Sequence, residues 1–417
     1  MLDKKLLRKE PDRIAAAIIA KNEKIDIELW TDKDAEKRKV MLEVEELRSQ
    51  RNTISKAVSF KKRNGEDAEA EMSKSREIGI KLETLEKQKN LLEDELVKIE
   101  FSIPNLPDSD VPLGGEENNI ELRSWGVHQE FDFTPKPHWE LMEKVFQPEA
   151  AGKIAGSNFI LFRGWAAKLQ RTLIDWMLDY HTERGMEEIW APFVAKAESM
   201  IATAQLPKME DDMYKIQRDG LFLIPTGEVP ITNLYRDSLF KESELPVKLC
   251  GYTPCFRREA GSYGKDNRGL NRVHQFEKVE MVRFEHPDRS DEAHSEMLEH
   301  VTGMLEILNI PYRVLLLASG DLSFAAAKCY DIEIWSAGQE KWLEVSSIST
   351  FRDFQARRGN IKFKPVTGKK QFVHTLNGSG MALPRLISAI VENGQQKDGS
   401  IKLPEVIAER MGSAIVR

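Results

Sequence analysis

Residues 31–100 are rich in charge, nearly free of Gly and Pro, and carry apolar side chains at gaps alternating between four and three. One series runs Val40, Val44, Leu47, Arg51, Ile54, Val58, and the other Ile78, Leu82, Leu85, Lys89, Leu92, Leu96, Ile99. Each is a seam with one charged interruption, the spacing that lets two helices interlock their side chains. Asn64-Gly65-Glu66-Asp67 lies between the seams and reads as a turn, so the helices are expected to run antiparallel and pack on each other. At 1.5 Å per residue, ~30 residues per helix make an arm on the order of 45 Å long.

Pro104, Pro107, Pro112, Gly114 and Gly115 then break both periodicities, and 106–120 reads as a linker. Beyond it a helical stretch at 166–183 alternates with short β-rich runs at 221–224, 273–284, 312–317, 330–335 and 343–347. Hairpin-like spacing without βαβ units predicts an α+β fold with a largely antiparallel sheet flanked by helices. The expected organisation is therefore an N-terminal domain at 1–105 carrying an antiparallel coiled-coil arm at about 31–100, the linker, and a second domain at 121–417. No repeat is visible beyond the heptads.

Composition narrows the function classes. With 41% hydrophobic, 31% charged and 8% aromatic residues, the chain has ample core and is not a disordered polymer. Its net charge of −7 excludes indiscriminate coating of nucleic acid, so such a contact needs a local basic patch. One candidate surrounds the arm's turn: Arg48, Arg51, Lys56, Lys61, Lys62, Arg63, Lys74 and Arg76, diluted by Glu66, Asp67 and Glu69. A dimerisation coiled coil or a spacer is the competing reading of the arm. Cys250, Cys255 and Cys329 are too few for a disulfide framework or a second metal-ligand cluster, so free thiols and no structural zinc are expected. The charged start predicts no secretory leader, and no run approaches the ~18 apolar residues of a membrane span. A soluble cytoplasmic protein without a membrane partner is expected.

Chemistry concentrates in 252–285, where two strand-like flanks enclose a loop, 260–272, rich in Gly, Asn, Ser and charge. On the second flank His274, Phe276, Lys278 and Glu280 share one face by alternation. If Arg257 lies opposite His274, then Cys255, Arg257 and Glu259 join that face, bringing a cation and carboxylates beside an aromatic ring. Phe276 and Glu280 would stand roughly 13 Å apart, close to the span of an aminoacyl-adenylate.

This stretch, with Arg257-x-Glu259, a loop and a returning strand, resembles motif 2 of class II aminoacyl-tRNA synthetases. Pro225-Thr-Gly-Glu-Val-Pro230, Glu344-Val-Ser-Ser347, Asp353-Phe-Gln-Ala-Arg-Arg358, and His374-Thr-Leu-Asn-Gly-Ser-Gly380 with Arg385 narrow the likeness. In this order, and with the helical arm, the chain resembles bacterial-type seryl-tRNA synthetases along nearly its whole length. The resemblance implies a serine–tRNA ligase that activates L-serine with ATP and then transfers it to tRNA-Ser, and to tRNA-Sec where one exists. It implies two catalytic arginines: Arg257 at the α-phosphate and serine carboxylate, and Arg385 at the outer phosphates. It places Arg258, Glu259, Val273, Phe276, Val345 and Ser346 at ATP, with Glu259 accepting from the adenine amino group and Phe276 stacking on the ring. Glu344 and Ser347 would hold magnesium bridging the phosphates. Thr226, Gly227, Glu228, Glu280, Asn377 and Ser379 would hold serine, and the arm's basic residues the tRNA.

Alternation sets Glu344 and Ser347 on opposite faces of a regular strand, so a shared metal requires a bulge between them. Gly227, Ile348, Thr350 and Pro384 depart from the residues usual in the family at those places. Pro192, in Glu187-Glu-Ile-Trp-Ala-Pro192, resembles the motif 1 proline of the class II homodimer interface. Two other readings are a catalytically silent RNA-binding paralogue and an amino acid:carrier-protein ligase. The first should lack the charged site residues and the second the arm; this chain has both.

Overall fold

The computed structural model describes residues 1–260 and 268–417; 261–267, within the loop expected at 260–272, lie outside the described residues. The chain divides into two compact units, Met1–Pro104 and Asn105–Arg417.

The first unit is helical: α1 (Lys4–Lys9), α2 (Pro11–Ala20), α3 (Ile27–Arg63) and α4 (Glu69–Ser102). Asp26 starts α3 by accepting from the backbone N–H groups of Glu28 and Leu29, which would otherwise lack partners. Lys61, Lys62 and Arg63 end it, where cations complement the exposed carbonyls. Gly65 then takes a left-handed conformation (φ +73°), and α4 returns antiparallel to α3. The expected seam is the buried one: Val40, Val44, Ile78, Leu82 and Leu92 form a core, with Leu47, Ile54 and Leu85 packed against it. Ion pairs flank the seam, Lys33–Glu95 and Lys37–Glu93 at 2.6 Å and Arg48–Glu86 at 2.7 Å. At the base, buried Trp30 donates from Nε1 to Glu100 (3.1 Å), and Arg8 grips Asp34 (2.8 Å).

The second unit is built on eight strands: β1 (Ile120–Trp125), β2 (Glu187–Glu188), β3 (Val247–Phe256), β4 (Gln275–Glu285), β5 (Tyr312–Leu316), β6 (Lys328–Ser336), β7 (Lys341–Arg352) and β8 (His374–Ala382). Their spatial order is β1-β5-β6-β7-β8-β4-β3-β2, antiparallel except that β2 joins β3 in parallel. Among its helices are α5 (Gly164–Thr182), α6 (Ala197–Ala202), α7 (Ser290–Ile307), α8 (Phe354–Arg358) and α9 (Leu383–Asn393). Leu169, Leu173 and Met177 of α5, Val301 and Leu305 of α7, and Leu386 and Ile390 of α9 form one core with Val279, Met281, Val345, Ile348 and Leu376 of the sheet. Burying that face leaves Phe276, Lys278 and Glu280, one step out of phase on β4, to point the other way. No helix among the described residues is long and apolar enough to cross a membrane.

The segment expected to be a linker belongs to the second unit. The Asn105 side chain donates to the carbonyls of Ala325 and Phe351 (both 2.9 Å), and the Asp108 N–H donates to Ala327 (2.9 Å). Its prolines and glycines exclude regular elements, yet they leave enough polar groups to fasten the strand of chain along the surface.

Four imidazoles, His181 and His294 buried and His300 and His374 largely covered, stand behind the sheet and have among the described residues no carboxylate partner such as Glu392 gives buried His138. His181 of α5 meets His300 of α7 (Nδ1···Nε2 2.8 Å), His294 reaches the Ile348 carbonyl (2.8 Å), and His374 meets the Ser290 hydroxyl (2.8 Å). Burial disfavours their charged forms, pushing His181 down to about 3 and the other three to about 4. The unfolded chain would bind protons below about pH 6.5 that the folded chain refuses, so stability falls as pH falls through that window. Each group contributes about 1.4 kcal/mol per pH unit until its native value is reached. Thermal unfolding at pH 5 is therefore expected several degrees below that at pH 7; equal midpoints would show that these histidines are solvated.

Candidate active site

Two irregularities in the sheet shape the open face. Along β6–β7 the pairing passes from Ile332↔Ser346 to Glu333↔Glu344, so Val345 is an extra residue. The bulge shifts the alternation by one: Val345 and Ile348 enter the core, while Glu344, Ser347 and Ser349 line the cleft. The Ser347 hydroxyl donates to Glu344 Oε1 at 3.1 Å, so the two oxygens the sequence set on opposite faces stand side by side. Along β8–β4 the step from Ser379↔Glu280 to Met381↔Val279 leaves Gly380 unpaired. A Cβ there would stand 2.2 Å from His181 Nε2, which is why the position holds glycine.

The first cavity, of about 370 Å³, is lined by Arg257, Glu259, Val273, Phe276, Glu344, Val345 and Arg385, together with Asp212, Arg272, Lys278 and Pro384. The Arg257 N–H donates to the His274 carbonyl (3.0 Å), the pairing expected from the sequence, and its guanidinium lies 5.2 Å from the Phe276 ring centre. Arg385 stands opposite, donating from Nη1 to the Glu344 carbonyl oxygen (2.6 Å) and lying 3.4 Å from its carboxylate. Burial would raise the Glu344 carboxyl, but Arg385, the Ser347 hydroxyl and Arg257 together hold it below its ordinary value. The Asp331 carboxyl, enclosed beside it, is pushed well up by burial and by the Glu344 charge. The Glu344 carboxylate beside the Ser347 hydroxyl is a donor set of hard oxygens and fits a small divalent cation.

The second cavity, of about 320 Å³, shares Arg257, Lys278, Glu344 and Ser379 with the first and adds Thr226, Glu228, Glu280, Ser347 and Asn377. Buried Glu280 accepts from the Thr226 hydroxyl (2.8 Å) and pairs with the Lys278 ammonium, whose Nζ also donates to Thr226 Oγ1 (2.8 Å). Buried Glu228 has neutral donors only, Gln355 Nε2 at 2.5 Å and Gln205 Nε2 at 3.3 Å. Burial and the neighbouring Glu280 raise its carboxyl to about 7. The pocket thus offers two carboxylates and an arginine to a small zwitterion, with a second arginine across a shared wall.

Some expected residues stand apart. Arg258 is exposed and lines neither cavity, and Ser346 points inward to donate to the Ser379 carbonyl (2.6 Å). Gly227 lies behind Glu280, where a Cβ would come within 2.8 Å of the Glu280 Cβ. His274 and Cys255, expected on the cleft face, line neither cavity: His274 precedes β4 and stacks on Phe159, and Cys255 is fully covered. Strand alternation ends at Phe256; Glu259 reaches the cleft through a left-handed backbone (φ +52°) and pairs with Arg272 at 2.7 Å. Asp212, Gln205 and Gln355 were not expected, and Lys278, expected on this face, had been given no role. Of the arm cations, Arg51, Lys56, Lys62, Arg63, Lys74 and Arg76 are exposed, and Arg48 and Lys61 are held by Glu86 and Glu71 (2.5 Å for the latter).

Comparison with known proteins agrees with this geometry. Residues 1–107 match the seryl-tRNA synthetase N-terminal domain, and residues 213–394 match the tRNA synthetase class II core domain (G, H, P, S and T). The serine–tRNA ligase of Thermomicrobium roseum is 47% identical over 417 residues, covering 99% of this chain and 94% of that protein. That of Nitratidesulfovibrio vulgaris is 46% identical, covering 99% and 98%. Among solved structures, the seryl-tRNA synthetase of Pyrococcus horikoshii complexed with ATP is similar, with TM-score 0.95, 33% identity, and coverage of 100% of this chain and 99% of that one. The cytoplasmic serine–tRNA ligase of Naegleria fowleri in complex with AMP follows at TM-score 0.90 and 27% identity, with coverage of 100% and 99%. Both family models in their order, and relatives of such identity over the full length, show that the chain belongs to the seryl-tRNA synthetases, a class II aminoacyl-tRNA synthetase family.

Proposed function

We propose that the two joined cavities carry out serine–tRNA ligation, with ATP in the first and L-serine in the second. A serine carboxylate oxygen attacks the α-phosphorus of ATP, the bond to the bridging oxygen breaks, and pyrophosphate leaves. The carboxylate is already ionised, so the reaction needs charge stabilisation and in-line placement more than a base. Arg257 suits that role because its planar fork stands on the wall common to both cavities. Arg385 binds the outer phosphates, and Phe276, Val273 and Glu259 take the adenine. Glu344 and Ser347 would hold magnesium, which when bound would neutralise phosphate charge. Glu228 takes the serine ammonium, since no lysine, arginine or histidine among the described residues pairs with it, whereas Glu280 already carries Lys278. Thr226, Glu280, Asn377 and Ser379 surround the hydroxyl, and a site built to bond a hydroxyl rejects alanine by ~10⁴-fold.

In the second step a terminal ribose hydroxyl of tRNA-Ser attacks the seryl carbonyl and AMP leaves. The arm's exposed cations would follow the tRNA backbone, read by shape. A homodimer through the β2 edge is part of the proposal, supported by Trp190, 72% exposed beside Pro192. A cytoplasmic setting is supported by three free, buried cysteines. The observation that carries the reading is the wall of Arg257, Lys278, Glu344 and Ser379 common to both cavities. ATP–pyrophosphate exchange with each of the twenty amino acids, followed by charging of total tRNA, tests it. Exchange with serine alone and charging of serine tRNA are expected; exchange with another amino acid and none with serine would refute it.

A further inference from the structure

The Asp353–Arg358 motif has no part in the reaction as described, yet α8 delivers one of its side chains to Glu228 from behind the serine pocket. Gln355 is 1% exposed and places Nε2 2.5 Å from Glu228 Oε1. Its Oε1 accepts from the Thr375 hydroxyl of β8 at 2.8 Å, which turns the amide nitrogen toward Glu228. From the other side Gln205, on the chain just past α6, brings Nε2 to 3.3 Å from Glu228 Oε2, while its own Oε1 accepts from the Thr203 hydroxyl. Each carboxylate oxygen thus receives one amide donor, and each amide is anchored by a threonine.

We propose that Gln205 and Gln355 are positioning residues of serine recognition: they clamp Glu228 in its ionised form, aim it into the pocket, and so set the lowest pH at which the serine ammonium is accepted. This rests on the reading of Glu228 as the ammonium's partner. Two carboxylates enclosed in one pocket repel, and one tends to keep its proton. Glu280 escapes through a cation, Lys278. A cation at Glu228 would occupy the place the substrate's ammonium must take. Carboxamides stabilise the anion by hydrogen bonds and leave its charge unspent. The charged groups facing Glu228 are Glu280, which opposes its ionisation, and Lys278, which favours it, both from β4. Arg257 and Glu344 line the same pocket. From α8 the nearby cation, Arg358, turns away to donate to the Ile201 carbonyl (3.2 Å).

The test measures serine kcat and KM by ATP–pyrophosphate exchange from pH 5.5 to 9 in the full chain, for Gln355→Leu, Gln205→Leu and Glu228→Gln, with ATP-induced thermal shift reporting an intact fold. For Gln355→Leu, KM for serine should rise roughly 10- to 100-fold at pH 7, the value of a charge-assisted bond. The kcat should change less than about threefold, because the clamp does not touch the reacting atoms. The acid limb of kcat/KM should move up by about one pH unit, so part of the loss returns at pH 9. Gln205→Leu should do the same more weakly, matching its longer bond, and Gln355→Asn should recover part of the effect. A loss equal at every pH, or an unmoved acid limb in both leucine variants, overturns the clamp. If Glu228→Gln leaves serine KM unchanged, the ammonium assignment itself fails; if it raises KM while the amide variants keep the wild-type limb, only the clamp fails.

Discussion

An Arg257→Ala chain is expected to keep its fold and to lose serine-dependent ATP–pyrophosphate exchange by ~10³-fold or more. The side chain is half-buried at the wall between the cavities, held by its Nε–H on the Pro225 carbonyl (3.2 Å) and stacked over Phe276. It supplies no core packing, so truncation leaves the sheet intact. What disappears is a planar cation aimed where the entering carboxylate and the α-phosphate would meet. Removing a single neutral donor from such a place costs about 10²–10³ in rate, and a charged fork with two parallel N–H groups should cost at least as much. Arg257→Lys should recover only a part, since an ammonium is a point charge without the fork. Exchange within tenfold of the unaltered chain would remove Arg257 from the phosphate and leave the first cavity without its proposed purpose.

Shortening the arm should separate the two steps. Replacing 41–88 by a short glycine–serine turn keeps the base, where Trp30 meets Glu100 and Lys37 meets Glu93, and removes every basic residue proposed for tRNA. Serine-dependent exchange is expected to stay within about twofold, because both cavities lie wholly in the second unit. Charging of tRNA-Ser should fall by ~10²-fold or more, chiefly through its KM, as several phosphate contacts are lost together. Charging at the unaltered rate would make the arm a spacer.

The arm was legible because its seam is local: a repeat of four and three predicts both partners and the turn between them, and the buried residues are those of the repeat. The hairpin was legible for the same reason, down to Arg257 opposite His274. The bulge at Val345 was demanded by two residues that had to meet, though nothing in the strand's own alternation announces it. What escaped was long-range. Gln205 and Gln355 stand 150 positions apart and converge on a third segment, and a glutamine carries no periodic signal. Lys278 was placed on the correct face beside Glu280, but Thr226, which bonds both from a segment some fifty positions away, was not foreseen as their link. His274 was misjudged by extending alternation past the last residue of β4, whereas Cys255, paired with Phe276, holds the expected face but is covered there. Prolines at 106–120 spoke of irregular backbone, which says nothing about whether that backbone is anchored, as it is where the Asp108 N–H donates to Ala327.

The surplus residue at Val345 has a consequence for how this sheet can vary. At this chain length the bulge is what keeps the Glu344 and Ser347 oxygens together, because a ladder that paired Val345 would turn the hydroxyl toward the packed helices and leave the carboxylate alone. A strand one residue shorter would bring the two to i and i+2, on one face without any bulge. Loss of the surplus residue should therefore spare both the ladder and the oxygen pair, whereas closing the ladder at the present length would part them.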